Sequence, residues 1–83
     1  MGKPEAVVTV AAELRMFLRS GRRDGPVSVA CDGVSSLVHV VESLGVPRTE
    51  IGGLTVNGNT AALGYLPRGG DVVQVLYILG EDV

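Results

Sequence analysis

The sequence predicts an α+β domain, a mixed sheet of four to five strands with one main helix on one face. Three observations carry this. Short stretches of period-two alternation recur along the chain, and one clear helical stripe lies between the second and third of them. Valine is the commonest residue, and β-branched side chains suit a pleated, half-buried surface. The order strand, strand, helix, strand, short strand, strand places the helix across one sheet face and leaves the other face open.

Each element has its own signal. Residues 6–11 (Ala-Val-Val-Thr-Val-Ala) read as the first strand. Alternation puts Val8, Val10 and Ala12 on one side, and Val7, Thr9 and Ala11 on the other. The period then changes: Leu14, Phe17 and Leu18 follow i, i+3, i+4 spacing and predict a helical turn over 13–19. Residues 20–26 are loop by composition. Pro26 opens a second strand over 27–31, with Val27, Val29 and Cys31 on a shared face. Residues 35–45 form the main helix, its stripe made by Leu37, Val40, Val41 and Leu44. Ser35 is the expected N-cap, or Asp32 if the helix starts earlier. Gly45 and Pro47 end it. Gly52-Gly53 breaks the chain before a strand at 54–56, and Asn57-Gly58 is a tight turn because both residues tolerate positive φ. A short strand over 60–63, a loop over 65–71 and a strongly apolar strand over 72–79 complete the order. The chain reads as one domain over 1–83, with 1–5 and 80–83 as flexible tails.

Composition narrows the function. The 83 residues bury too little surface to spare much for a deep active site. A net charge of −2 argues against general nucleic-acid binding, which needs a strong positive field. The lone Cys31 excludes an intrachain disulfide or a Cys-rich metal site. With no apolar leader and no run of ~20 apolar residues, the expectation is a cytoplasmic protein without a membrane span. No cofactor or metal is expected, and no enzyme.

Three features are candidates for chemistry. His39 could be a general base, but it lies off the apolar stripe beside Glu42 with no nucleophile arranged for it, so it reads as a solvated helix position. Cys31 could be a nucleophile or sulfur acceptor. Its alternation with Val27 and Val29 makes it a small core residue instead. Arg15, Arg19, Arg22 and Arg23 are four of the seven basic residues and form the candidate basic contact for RNA or an acidic partner. Asp24 beside them and the absence of interleaved aromatics favour a solvated loop.

The stronger site is the last strand. With Val73, Val75 and Tyr77 toward the helix, Val72, Gln74, Leu76 and Ile78 face away. If the first strand is its neighbour, Val7 and Ala11 join that outer face. An apolar face in this position predicts a surface for another protein, with self-association or cover by the chain's own tail as the alternatives.

Three segments in combination, Glu42-Ser43-Leu44-Gly45-Val46-Pro47-Arg48-Thr49-Glu50-Ile51, then Val56-Asn57-Gly58, then Gly70-Asp71-Val72-Val73-Gln74-Val75, resemble the ubiquitin-like domain that precedes a PIN-like nuclease domain in Mut7-C proteins. That domain is similar in turn to the MoaD and ThiS sulfur carriers. The Ala12-Glu13-Leu14-Arg15 block shares the likeness, which covers roughly residues 6–78. The resemblance implies a ubiquitin-like β-grasp fold and recognition through the outer sheet face, by an activating enzyme or a nuclease domain. Carriers of this group act through a C-terminal Gly-Gly that must thread a narrow adenylation site. Here the chain reads Leu79-Gly80-Glu81-Asp82-Val83, with one glycine, a bulky residue before it and three residues after it. The expected function is therefore a non-catalytic interaction module. The alternatives are a sulfur carrier attached through Gly80 after trimming, and the N-terminal domain of a PIN-like RNase fusion that assists RNA binding.

Overall fold

The computed structural model describes residues 4–18 and 25–78. Five strands form one sheet in the order β2-β1-β5-β3-β4. They are β1 (Glu5–Val10), β2 (Val27–Ala30), β3 (Ile51–Val56), β4 (Asn59–Ala61) and β5 (Val72–Tyr77). The helix α1 (Leu37–Ser43) lies between β2 and β3 in sequence. Two 3₁₀ turns, Ala12–Phe17 and Arg48–Glu50, follow β1 and precede β3. β1 and β5 run parallel at the centre; the remaining neighbours are antiparallel.

The core lies between sheet and helix. Ala6, Val8 and Val10 of β1, Leu54 and Val56 of β3, and Val73 and Val75 of β5 are buried against Leu37, Val40, Val41 and Leu44. Leu14 of the first 3₁₀ turn is fully enclosed with them. Each such Val or Leu contributes about 1.5–3 kcal/mol on burial, so with little aromatic content the fold depends on many close aliphatic contacts. Tyr77 packs partly against this core, as the alternation of β5 requires.

Several boundaries differ from the sequence reading. The helix starts at Leu37, with Ser36 as its N-cap: the Ser36 Oγ accepts from the His39 N–H. Ser35 and Asp32 serve the turn before it, where Asp32 accepts from the Val34 and Ser35 N–H groups and from the Ser35 hydroxyl. These contacts, led by the Ser35 amide, lower the Asp32 carboxyl to about 2. The first helical N–H groups find acceptors far along the chain, Leu37 on the Tyr65 carbonyl (2.7 Å) and Val38 on that of Leu63 (3.0 Å).

Gly52-Gly53 does not break the chain ahead of β3 but lies inside it, at a register shift opposite β5. A Cβ on Gly52 would collide with the Tyr77 carbonyl, so glycine is what lets the two backbones meet there. β4 is Asn59–Ala61 rather than 60–63, because the Asn57-Gly58 turn is only two residues long and pairs Val56 directly with Asn59. Ala12 is exposed, since the chain has already turned into the 3₁₀ segment. β2 ends at Ala30. Cys31 follows it, half-buried, with its N–H on the Pro4 carbonyl. Glu5, expected in a flexible tail, opens β1 opposite Ala30, and its carbonyl accepts from the Gly70 N–H.

Candidate functional site

The register sets out the sheet face opposite α1. Val7 stands beside Val72, and Thr9 beside Gln74. On the other flank Thr55 opposes Gln74, Gly53 opposes Leu76, and Thr60 opposes Thr55. Hence a polar row, Thr9–Gln74–Thr55–Thr60, crosses the middle of the face. Val7 and Val72 lie on one side of it, and Leu76 with Ile78 on the other. The face is therefore not apolar throughout, as β5 alone suggests: its neighbours contribute threonines at the matching positions. Period-two alternation with Val8, Val10, Leu54 and Val56 already places Thr9 and Thr55 there; the sequence reading puts Thr9 on this side of β1 without naming it for the site, and does not extend the face to β3.

The exposed apolar side chains are large. Val72 is 49% exposed, Leu76 43% and Ile78 43%. Val7 is half-buried between its neighbours. Gly53 leaves room beside Leu76, whose Cδ1 lies 3.6 Å from where a Cβ would sit. Ala11 follows the last residue of β1. Its N–H donates to the Val75 carbonyl, and its side chain packs partly against the core. It is thus at the margin of the face rather than in it. Within the row, the Thr55 hydroxyl is buried and has no hydrogen-bond partner among the described residues.

An open cleft of about 230 Å³ cuts into this face where β1 gives way to the 3₁₀ turn, lined by Thr9, Ala11, Arg15, Gln74 and Leu76 among others. Arg15 donates from Nε to the Val10 carbonyl at 3.5 Å. The structure so brings together one member of the basic cluster and the outer face. Arg19, Arg22, Arg23 and Gly80 lie outside the described residues.

The remaining candidates stand apart. His39 is exposed and lines a second open groove, about 440 Å³, between β2 and α1 with Ser28, Ser35 and Ser43. Its neighbour Glu42 pairs with Arg48 at 3.5 Å. Desolvation pushes the Cys31 thiol up, and the Asp71 charge adds to this, so the thiol is not poised as a nucleophile. Among the described residues no group of three His, Cys, Asp or Glu side chains gathers as a metal site, and no helix is long and apolar enough to cross a membrane.

The turn that launches β5 is held by a polar network. Asp71 is only 7% exposed. Its Oδ2 accepts from the Tyr65 hydroxyl (2.7 Å) and the Arg68 N–H (2.9 Å), and its Oδ1 from Asn57 Nδ2 (3.1 Å). Asn57 Oδ1 in turn accepts from the Val72 N–H at 2.9 Å. The Arg68 amide is the largest influence holding the Asp71 carboxyl below its ordinary range, against the opposing effect of burial. The hydrogen bond to Asp71 in turn raises the Tyr65 phenol. This network fixes where Val72 enters the sheet, and with it the outward set of β5.

Residues 3–79 match the family described as Mut7-C ubiquitin. The chain belongs to the Mut7-C ubiquitin family. Its fold is that of a ubiquitin-like β-grasp domain, and two solved structures are similar to it. One is the crystal structure of SAMP1 from Haloferax volcanii, with 20% identity and a TM-score of 0.64, covering 94% of this chain and 99% of that one. Another, of the H. volcanii small archaeal modifier protein 1, has 22% identity and a TM-score of 0.62, covering 89% and 95%. No curated protein matches the chain. The family match spans β1 through β5 and therefore includes the outer face.

Proposed function

We propose that this Mut7-C ubiquitin domain is a non-catalytic interaction module that docks another protein on its outer sheet face. One observation carries the reading: Val72, Leu76 and Ile78 are held out to solvent on the side of the sheet away from α1. Exposing them costs hydrophobic free energy that a partner would recover, about 25 cal/mol for each Å² of apolar surface covered. The polar row between them supplies hydrogen-bonding groups, which matches the mixed character of non-obligate interfaces. A cytoplasmic partner of the activating-enzyme or nuclease class is the expectation that the family resemblance supplies.

The test is capture of a partner from the native host by wild type and by Leu76→Glu. Leu76 is a surface position, so the variant is expected to keep its circular dichroism spectrum and lose the partner. Retention of the partner by a folded Leu76→Glu overturns the docking face. Intact mass of the native protein separates the carrier alternative. Loss of Glu81-Asp82-Val83 together with replacement of a carboxylate oxygen by sulfur at Gly80 would make the terminus, not the face, the working part.

A further inference from the structure

We propose that the outer face selects a partner segment with an acidic side chain next to an aliphatic one, the carboxylate at Arg15 and the aliphatic group on Leu76. This rests on the docking-face reading above and adds the chemistry of the partner.

The argument begins with the cleft. At about 230 Å³ it is below the size of an ordinary cofactor pocket and suits one or two side chains. Among the described residues Arg15 is the one charged member of its lining. The guanidinium carries five donors in a planar fork, of which Nε is turned to the Val10 carbonyl. That contact orients the group and leaves its two terminal nitrogens for an acceptor. Among the described residues Arg15 forms no ion pair. A carboxylate matches such a fork in both charge and shape. Thr9 and Gln74 also line the cleft, and neither side chain makes a hydrogen bond among the described residues. Leu76, 43% exposed, lines the same cleft and has only a glycine, Gly53, as its partner on β3. A cation and an uncovered aliphatic group thus flank one notch. An aliphatic segment lacking the carboxylate would leave the fork unused. Nucleic acid fits less well, because among the described residues the notch has a single cation and no aromatic ring for base stacking.

The experiment is selection of a random-peptide phage library on the immobilised chain as wild type, Arg15→Gln and Leu76→Glu, with circular dichroism to verify that all three fold. Wild type is expected to enrich Asp or Glu beside Leu, Ile or Val. A synthetic consensus peptide should bind wild type about two- to five-fold tighter than Arg15→Gln at low salt, the range of an exposed ion pair. The difference should shrink at high salt. Changing the peptide's acid to its amide should lower affinity for wild type and leave that for Arg15→Gln unchanged, which ties the effect to this pair. Peptides that need Leu76 but show no acidic preference would overturn this inference and spare the docking face. Peptides indifferent to Leu76→Glu would overturn both. Binding of a labelled oligouridine that is lost in Arg15→Gln would assign the notch to nucleic acid instead.

Discussion

Replacing Asp71 by Asn tests the network that sets β5. The change keeps the side chain's shape and removes its charge. Oδ2 must still accept from the Tyr65 hydroxyl and the Arg68 N–H, so the amide oxygen of Asn belongs there. Its NH₂ then faces Asn57 Nδ2, donor against donor. Turning the Asn57 amide over does not help, because its NH₂ would meet the Val72 N–H. The polarity of the chain of bonds is therefore fixed by the carboxylate. A hydrogen bond to a charged group contributes about 1.5–3 kcal/mol. One bond is lost outright and two are weakened. The expected net loss is about 2–3 kcal/mol. For a domain of this size that lowers Tm by about 10–20 °C. Thermal melts followed by circular dichroism at pH 7 measure it. The pH dependence has a defined sign. The folded carboxyl titrates below its unfolded counterpart at about 3.9. Its contribution is complete above that value and is lost as pH falls through the lower folded one. Wild type should thus approach Asp71→Asn as the solution is acidified below about pH 4. Asp32 titrates in the same window but is present in both proteins, so it leaves the difference unaffected. A variant that melts within about 3 °C of wild type at pH 7 would refute the reasoning.

Two further substitutions probe the frame around the face. Gly45 sits at φ +114°, and a Cβ there would run into the Phe17 carbonyl, so Gly45→Ala should cost about 2–3 kcal/mol, read as a lower urea midpoint with unchanged slope. Thr55→Val removes a buried hydroxyl without a partner among the described residues. It should leave stability unchanged or raise it by up to about 1 kcal/mol, and a fall of that size in chemical denaturation would show that the hydroxyl is satisfied in solution.

Much of the fold was legible because it rests on periodicity. The alternation of Val8, Val10, Val73 and Val75 and the stripe of Leu37, Val40, Val41 and Leu44 all reach the core as expected. The outward set Val72, Gln74, Leu76 and Ile78 follows from the same alternation. What could not be read depends on pairing across the sheet or across loops. Alternation turns Thr55 outward, but its place beside Gln74 and Thr60 comes only from the β3–β5 and β3–β4 register. Asn57-Gly58 and Gly70-Asp71 look like two unrelated turns, yet Asn57 and Asp71 bond to each other over fourteen positions. Ser35 and Asp32 are both sound cap residues. Ser36 takes the role because the loop carbonyls of Leu63 and Tyr65 supply the next acceptors at the helix start. Arg15 reads as part of a charged loop, and only the turn after β1 shows that it borders Leu76.

The strand order has a consequence for how the chain acquires its structure. β1 and β2 pair across a long connection and β3 and β4 across a two-residue turn, and among the described residues β5 is the one strand that touches both pairs. Without β5 the two pairs share no sheet, and an isolated two-stranded pair is marginal in water. The parallel β1–β5 pairing joins strands far apart in sequence, so completing the sheet requires closing a long chain segment. The strand that presents the docking residues is also the one that completes the fold, so a chain cut short before it presents neither.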